Sequence, residues 1–564
     1  MADNTTATAS IKASKALLKT IRQQENEEAA VHFALGIAGI VSLFALVFWV
    51  RDFCRHIELR GPVFRKFRKL IRCTRRRFIY KVPFFQSAGH ALAFMLYLAV
   101  ALSVATTNVK WDNLTGLAKR LGWLTVLNLA LCIFLSLKNT PLAFLINQSH
   151  ERLNGLHRVA GYSTTASALA HALVYFLNLK RMDRLAVLKE GPQIMGITAA
   201  SCFLIIFLTA TFLRKHQYEA FYIIHVTLTI IVLIMAGLHR RQIVTTKSSY
   251  ILAAAALIWG LDRTVRAFQL FYYSFSNDAT ITPLCHGGTR VIFRKAPKAI
   301  APGDHCYIWL PGIRALETHP FTCMATNPLE FVVSAHDGFT KDLHFCAQRD
   351  PGAVMKASIH GPYGVMGDLT NFNRVVFIAG GSGISFTSGL AVQLLQKLGN
   401  SRKINIEFIW AMREKECAEW ISTNLSILAN SPLVTLNLFA TRGQSNKYSS
   451  HTTVPSHFDI IASDSKQSVT VLNEAKQSTQ IVDSEKCGAS LTTSPTVKTP
   501  YTITQKRPDI AAFISNAVDA TLPTEQIAIV ACGPDAMMLV VQKSVAENIR
   551  PNGPTVEFFN EHFA

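Results

Sequence analysis

The sequence is poor in acidic residues and in charge altogether. Asp and Glu number 36 against 57 Lys and Arg, a formal net charge of +21, and charged residues make up only 16% of the 564-residue chain. That fraction lies well below the roughly 25% of ordinary soluble domains, and the mean hydropathy is +0.24. A wholly soluble or disordered chain is excluded. CxxC pairs are lacking, and the 11 cysteines are odd in number on a long chain, so no disulfide framework is implied. Residues 1–30 are polar without a cleavage pattern, and no signal peptide is expected. The length calls for three or four domain-sized units. The positive excess leaves two readings: nucleic-acid binding, or a membrane protein with basic cytosolic loops. Its position decides between them.

What the chain does have is long apolar runs, all in its first half: 31–50, 85–105, 121–137, 159–177, 195–213, 221–238 and 250–261. About 20 helical residues cross a bilayer. Six runs meet or approach that length. The seventh is 12 residues long and ends before Asp262, Arg263 and Arg266; it is read as a span whose arginines snorkel to the interface. Residues 51–81, between the first two runs, carry twelve Lys/Arg against Asp52 and Glu58, a net of +10 and about half of the whole excess. A segment tethered between two spans is a cytosolic loop by the positive-inside rule, not a nucleic-acid patch. The N-terminal tail, residues 1–30, is then external, and seven spans return everything after about residue 270 to the cytosol. Basic residues at 178–194 and 240–249 run against the rule. Two sequons, Asn4-Thr5-Thr6 and Asn113-Leu114-Thr115, fit external glycosylation.

Ionisable side chains inside spans are functional by default. His157 and His171 lie on the fourth run, 14 residues apart; His225 and His239 lie on or at the end of the sixth, also 14 apart. Fourteen residues is about 3.9 helical turns, so each pair shares a face with roughly 21 Å between its members. Spans two apart in order run in the same direction. His157 therefore faces His225 near one surface, and His171 faces His239 near the other. Two facing imidazoles can supply both axial ligands of a haem iron, and two such pairs stack two haems through the membrane. Bis-histidine ligation suits electron transfer. The alternative is that the histidines are polar bundle contacts, as for the lone His90 in the second run.

After about residue 280 the pattern changes to short alternating strands with Gly and Pro punctuation, at 289–295, 305–312 and 329–336, which predict a small antiparallel barrel. From 374, apolar strands alternate with helices at 384–398, 417–429 and from Pro534, which predicts a parallel sheet covered on both faces. Residues 443–507 are rich in Ser, Thr, Lys and Gln and are read as a largely disordered insert. The fold class is therefore a polytopic helical membrane domain at 31–275, a β-barrel domain at 280–370, and an α/β domain at 374–564. Three local motifs carry chemistry. Gly380-Gly381-Ser382-Gly383 follows an apolar strand and opens a helix, where backbone amides can approach a pyrophosphate. Cys532-Gly533-Pro534 ends a later strand at the carboxyl edge where ligands of such sheets bind. His319-Pro320-Phe321-Thr322 in the barrel offers a ring to pack on a flavin and a hydroxyl to bond it. Arg413 and Arg442 follow successive strands, and either can pair with a 2′-phosphate or remain ordinary surface charge.

Taken together in order, these residues resemble the fungal ferric reductases, relatives of the NADPH oxidases, from about residue 120 to the end. HRVAGYSTTASALAH at 157–171 and YEAFYIIHVTLTIIVLIMAGLH at 218–239 look like that family's haem-binding spans. His319 to Thr322 looks like its FAD motif, and Ala335 to Thr340, with Gly338 and Thr340, like its FAD-phosphate region. Gly361-Pro362-Tyr363-Gly364 and Gly380, Gly381, Gly383 and Ile384 resemble its NADPH turns, and Cys532 to Pro534 the segment near the nicotinamide. Three positions depart. His360 stands where an acid is usual, Ser385 where threonine is common, and Phe563 is displaced by one from the terminal aromatic that covers the flavin. The resemblance implies a transmembrane NADPH-dependent reductase. Hydride passes from cytosolic NADPH to FAD, which releases electrons singly through two b-type haems to an external ferric chelate or cupric ion. An iron permease or oxidase is the partner such a role would call for. The plasma membrane is the expected location, with the vacuolar membrane as the alternative. A superoxide-producing oxidase uses the same wire, and a receptor or transporter with structural histidines is the rival from another class.

Overall fold

In the computed structural model the described residues are 2–56, 62–83, 85, 87–109, 111, 113–146, 150–239, 247–364, 366–399, 404–442 and 501–561. The first half is helical: α1 (Ala2–His56), α2 (Pro62–Ile79), α3 (Ala88–Thr106), α4 (Leu114–Ser136), α5 (Pro141–Ile146), α6 (His150–Arg181), α7 (Gly191–Thr211), α8 (Tyr218–Leu238) and α9 (Lys247–Tyr272). Each of the seven apolar runs falls mainly on one of these helices. Among the described residues, five helical stretches are long and apolar enough to cross a membrane: 16–54, 88–106, 114–136, 191–215 and 218–238. The remaining two, α6 and α9, are long enough but too polar by composition, because they carry the histidines in one case and Asp262, Arg263 and Arg266 in the other.

Three readings change here. Residues 2–30 are no detached tail but the first part of α1. Asn26, Ala29 and Ala30 are buried, the Glu25 carbonyl accepts from Arg120 of α4 at 3.3 Å, and Glu27 pairs with Lys247 at 2.6 Å. The reading by hydropathy stopped at the first charges, whereas Ala, Lys, Glu and Gln all propagate a helix. The basic segment after the first span is likewise no loop: residues 62–79 form α2. Finally, Arg266 does not snorkel. It is buried and paired with Asp262 one turn back at 2.9 Å, and Asp262 also accepts from the backbone and side-chain amides of Asn139, both at 3.1 Å. A buried charge is tolerated when paired and hydrogen-bonded. Asn113, of the second sequon, serves as the N-cap of α4 and accepts from the Gly116 amide at 3.1 Å.

Two antiparallel sheets follow, packed over one apolar core. They are built from β1 (Asp278–Leu284), β2 (Gly288–Phe293), β3 (His305–Trp309), β4 (His319–Thr322), β5 (Ala325–Thr326), β6 (Leu329–Ser334), β7 (Val354–Lys356) and β8 (Ser358–Tyr363), with α10 (Phe339–Arg349) covering one end. Strand order is β5-β6-β2-β1-β7 in one sheet and β4-β3-β8 in the other. Ile281, Val291, Phe293, Cys306, Ile308, Phe331 and Phe339 are among the side chains of the core between them. The alternation of apolar and polar residues predicted this, since period two puts one face inward.

The last unit contains β9 (Arg374–Gly380), α11 (Ile384–Leu398), β10 (Asn405–Met412), α12 (Ser422–Ala429), β11 (Val434–Ala440), β12 (Ile503–Gln505), α13 (Ile510–Asp519), β13 (Gln526–Cys532), α14 (Asp535–Asn548) and β14 (Thr555–Glu561). All strands are parallel, in the order β12-β11-β10-β9-β13-β14. Of the expected insert, 443–500 lies outside the described residues, and its last part is corrected: 503–505 form edge strand β12. The chain order reverses between β9 and β13, which is where sheets of this type bind ligands.

Candidate functional site

The two histidine pairs meet across α6 and α8. The rings of His157 and His225 lie 6.2 Å apart, centre to centre, and those of His171 and His239 lie 6.1 Å apart, with the ring planes near perpendicular at 72° and 81°. A metal bonded to one nitrogen of each ring at the usual 2.0–2.1 Å would set the centres roughly 6 Å apart, so both spacings fit bis-imidazole ligation. The second nitrogen supports the same reading. Nδ1 of His157 is 2.9 Å from the Cys132 carbonyl, that of His171 2.7 Å from the Ala118 carbonyl, and that of His239 2.6 Å from the Pro192 carbonyl. Each bond fixes Nδ1 as the protonated donor and leaves Nε2 as the ligand atom. His225 is the exception: its Nδ1 is buried without a hydrogen bond among the described residues.

Sequence reasoning missed the residues behind the rings. Gly122 of α4 and Gly196 of α7 provide the space in which His171 and His239 sit. A Cβ at Gly122 would lie 3.2 Å from His171 Cε1, and one at Gly196 would lie 2.5 and 2.6 Å from His239 Nδ1 and Cε1. Small residues at helix contacts in a membrane are the available signal, but it does not say which partner approaches. Gly196→Ala is expected to displace the His239 ring and cut haem at that pair by at least half. The pyridine haemochrome content of purified protein measures it, and Gly237→Ala, which meets nothing within 4 Å, is the control.

At the foot of the bundle the antiparallel unit presents a stack of rings. Tyr307 lies parallel to His360 at 4.9 Å and 2°, with Lys138 Nζ 2.9 Å from its centre on the membrane side. His360 Nδ1 and the Tyr363 hydroxyl are 3.1 Å apart. The unusual His360 has a physical account here. An acid would pair with the surrounding cations, whereas burial and the charges of Lys138, Arg266, Arg263 and His305 push this imidazole down to about 3 and keep it neutral. An unfolded histidine titrates near 6.5. Between these values the unfolded chain binds a proton that the folded chain refuses, so stability is full above about 6.5 and falls with acid, by up to about 1.4 kcal/mol per pH unit. His360→Gln is expected to flatten that acid limb. Thermal unfolding against pH checks it, and an unchanged slope counts against the assignment.

The motif at 319–322 is strand β4. His319 stacks on Phe339 at 4.2 Å and 15° and is 3.1 Å from Glu317. Phe321 packs toward the core, Thr322 is buried and Pro320 is exposed. Gly338 takes φ +65 before α10, and the Thr340 hydroxyl accepts from the His336 amide at 2.9 Å. Arg314 ties this corner to the haem-type helix: its guanidinium reaches Asp342 at 2.8 Å and both Glu317 and Glu219 of α8 at 3.3 Å. Gly361 and Gly364 adopt φ +131 and +120, on either side of Pro362 and Tyr363.

In the parallel sheet the turns after β9 and β13 interlock. A Cβ on Gly383 would lie on the backbone carbonyl of Cys532, and one on Gly380 would meet Pro534 and Met537. One on Gly533 would meet Met537 and the Gly380 backbone. Gly381 alone of this group is left-handed, at φ +53, with open space beside it. Most of these glycines are therefore needed for packing of turn on turn, beside the N-terminus of α11, which begins at Ile384. Arg413 and Arg442 follow β10 and β11 at the same carboxyl edge, and Arg442 lies 3.7 Å from Glu414. Burial pushes the Cys532 thiol up to about 12, so it is an inert neutral side chain. Phe563 lies outside the described residues.

Comparison with known proteins finds one family model in each of the three units. Residues 121–236 match the family model described as "Ferric reductase like transmembrane component", 280–367 an "FAD-binding domain", and 372–546 a "Ferric reductase NAD binding domain". The chain is 30% identical over 346 residues to a probable cell surface ferric reductase of Aspergillus oryzae, covering 55% of this chain and 45% of that protein. It is 25% identical over 385 residues to a ferric/cupric reductase transmembrane component of Schizosaccharomyces pombe, covering 58% and 66%. The chain thus spans about half to two thirds of these relatives. Among solved structures, the flavohemoglobin of Malassezia yamatoensis matches over 79% of this chain and 97% of its own, at 14% identity and a TM-score of 0.34.

Proposed function

Since the chain belongs to the ferric reductase family, we propose that it carries electrons from cytosolic NADPH across a membrane to external ferric chelates, and to cupric ions as a second substrate. When bound, FAD supplies the step from electron pairs to single electrons, and the haems supply one-electron redox chemistry. The observation that carries the reading is the two histidine pairs at 6.2 and 6.1 Å on the same two helices.

The chain's own residues then have distinct tasks. His157 and His225 hold the haem nearer the soluble units, and His171 and His239 hold the outer one. The carbonyls of Cys132, Ala118 and Pro192 fix three of the rings. His319 to Thr322, Gly338 and Thr340 cradle FAD, with Gly361, Pro362, Tyr363 and Gly364 at the edge of that site. Gly380, Gly381, Gly383, Ile384, Cys532, Gly533 and Pro534 frame the NADPH crevice, and Arg413 or Arg442 reads the 2′-phosphate. No side chain need act as acid or base on the metal substrate.

The basic segment supports the orientation. Arg72 and Arg75 of α2 bond β14 of the NAD-type unit, so the segment richest in positive charge shares a side with the nucleotide crevice, as a cytosolic placement requires. The cell-surface relative supports a plasma-membrane location over a vacuolar one. An intact-cell assay with an impermeant ferric chelate tests the function. Chelate reduction that depends on expression and on His171 is the expected result. With purified protein, NADPH oxidation that stalls on chelate but runs on oxygen alone would make it an oxidase instead. A preparation without a low-spin b-type Soret band would sink the reading altogether.

A further inference from the structure

We propose that the junction of α1, α2 and β14 binds the phosphate headgroup of an anionic phospholipid, so that the charge of the cytosolic leaflet acts on the last strand of the nucleotide sheet. The proposal rests on the membrane placement of α1 and goes beyond the reductase reading.

A cavity of about 50 Å³ lies at this junction. Its walls include the apolar Ile71, Ile549 and Val556, and Arg51 of α1, Arg72 and Arg75 of α2 and Glu557 of β14 carry its charge. Three guanidiniums face one carboxylate, a local excess of positive charge. Arg72 donates to the Gly553 carbonyl at 2.6 Å and to the Thr555 hydroxyl at 3.1 Å. Arg75 pairs with Glu557 at 2.8 Å and donates to the Val556 carbonyl. Arg51 stands over the Phe48 ring at 5.5 Å. Arg72 and Arg75 are held by these bonds, so Arg51, against the Phe48 ring, is the guanidinium placed to meet the oxygens of a phosphate.

Position selects the source. Arg51 directly follows the apolar run 31–50, which sets the cavity at the edge of the bilayer. The face of α2 turned away from β14 carries exposed Lys66, Lys69, Arg76 and Arg77, with Leu70 61% and Phe78 38% exposed beside them. A basic helix with apolar side chains at the membrane edge fits an anionic lipid surface. A nucleotide is a poor occupant. The cavity is at the amino end of β14, whereas the crevice between β9 and β13 opens at the carboxyl edge.

The strand that receives this contact leads toward the flavin-type unit. Phe559 packs edge-on to Phe372 at 6.0 Å, and Glu561 at its end lies 3.7 Å from His305 of β3. Headgroup binding would hold α2 against β14 and steady that path.

The test uses the full chain in nanodiscs of phosphatidylcholine alone or with added phosphatidylserine, followed by hydrogen exchange. Exchange over 69–79 and 555–561 is expected to slow roughly tenfold with phosphatidylserine. Arg51→Gln should remove most of that protection, and so should the combined Lys66→Gln, Lys69→Gln, Arg76→Gln and Arg77→Gln variant. Neither touches the Arg72 and Arg75 bonds, so both should fold. Equal exchange in the two lipids overturns the proposal. So does equal protection by inorganic phosphate in phosphatidylcholine discs, which would mark a general anion site. Protection that survives both variants overturns it as well.

Discussion

Replacing His171 by alanine is expected to remove one of two haems and bring external ferric-chelate reduction down by at least about a hundredfold, while NADPH still reduces the flavin. The variant leaves His239 as the remaining imidazole of this pair. His171 meets His239 at 6.1 Å, its Nδ1 is held by Ala118, and Gly122 behind it contributes no side chain. The paired Tyr175 ring, stacked at 6.2 Å, has a phenol in place of an imidazole nitrogen. Losing an axial ligand of a bis-histidine site removes a bond that packing cannot replace. Two measurements check it: the haem-to-protein ratio, expected to fall to about half, and rapid-mixing absorbance of the flavin. A variant that keeps both haems would refute the ligand assignment. Loss of flavin reduction as well would show misfolding, because the FAD-type unit contains no part of α6.

A second large effect is expected at Gly383. Alanine there places a Cβ on the Cys532 carbonyl, a backbone group that cannot swing away as a side chain can. The turn after β9 must separate from the turn after β13, which opens the crevice at the sheet's reversal point. NADPH-driven flavin reduction is expected to fall by at least about a hundredfold, a barrier change near 3 kcal/mol. Haem absorption and its reduction by dithionite should persist. Gly381→Ala is the companion. It has open space and only the left-handed φ +53 to tolerate, which costs roughly 1 kcal/mol. Stopped-flow flavin absorbance distinguishes the two. Equal rates would mean that the interlock is not what holds the crevice.

The contrast between these glycines shows what was legible in the sequence. A glycine-rich turn after an apolar strand located the crevice, because strand, turn and helix are local patterns. It did not say that Gly383 and Gly533 serve contact between turns 150 residues apart, because that depends on β13 lying beside β9. The histidine pairs were legible for the same local reason: a 14-residue spacing keeps two side chains on one helix face. Their supports on α4 and α7 were not, since a lone glycine in an apolar run has no partner written beside it. Hydropathy misjudged α1 and α9 in opposite ways. It ended the first helix where charges began, and it sent Arg266 to the interface when Asp262, four residues earlier, holds it inside. Periodicity placed the helix at 384–398 to the residue and the strands at 289–295, 305–312 and 329–336 within a few positions.

The edge position of β12 has a practical consequence. The 443–500 segment departs after β11 and returns through β12 at one flank of the sheet. The crevice opens two strands inward from β11, between β9 and β13. Chain length added between β11 and β12 changes loop-closure entropy only slowly. A fluorescent protein or an affinity tag inserted there should therefore leave turnover intact, which offers a labelling site on the parallel-sheet unit without modifying either terminus.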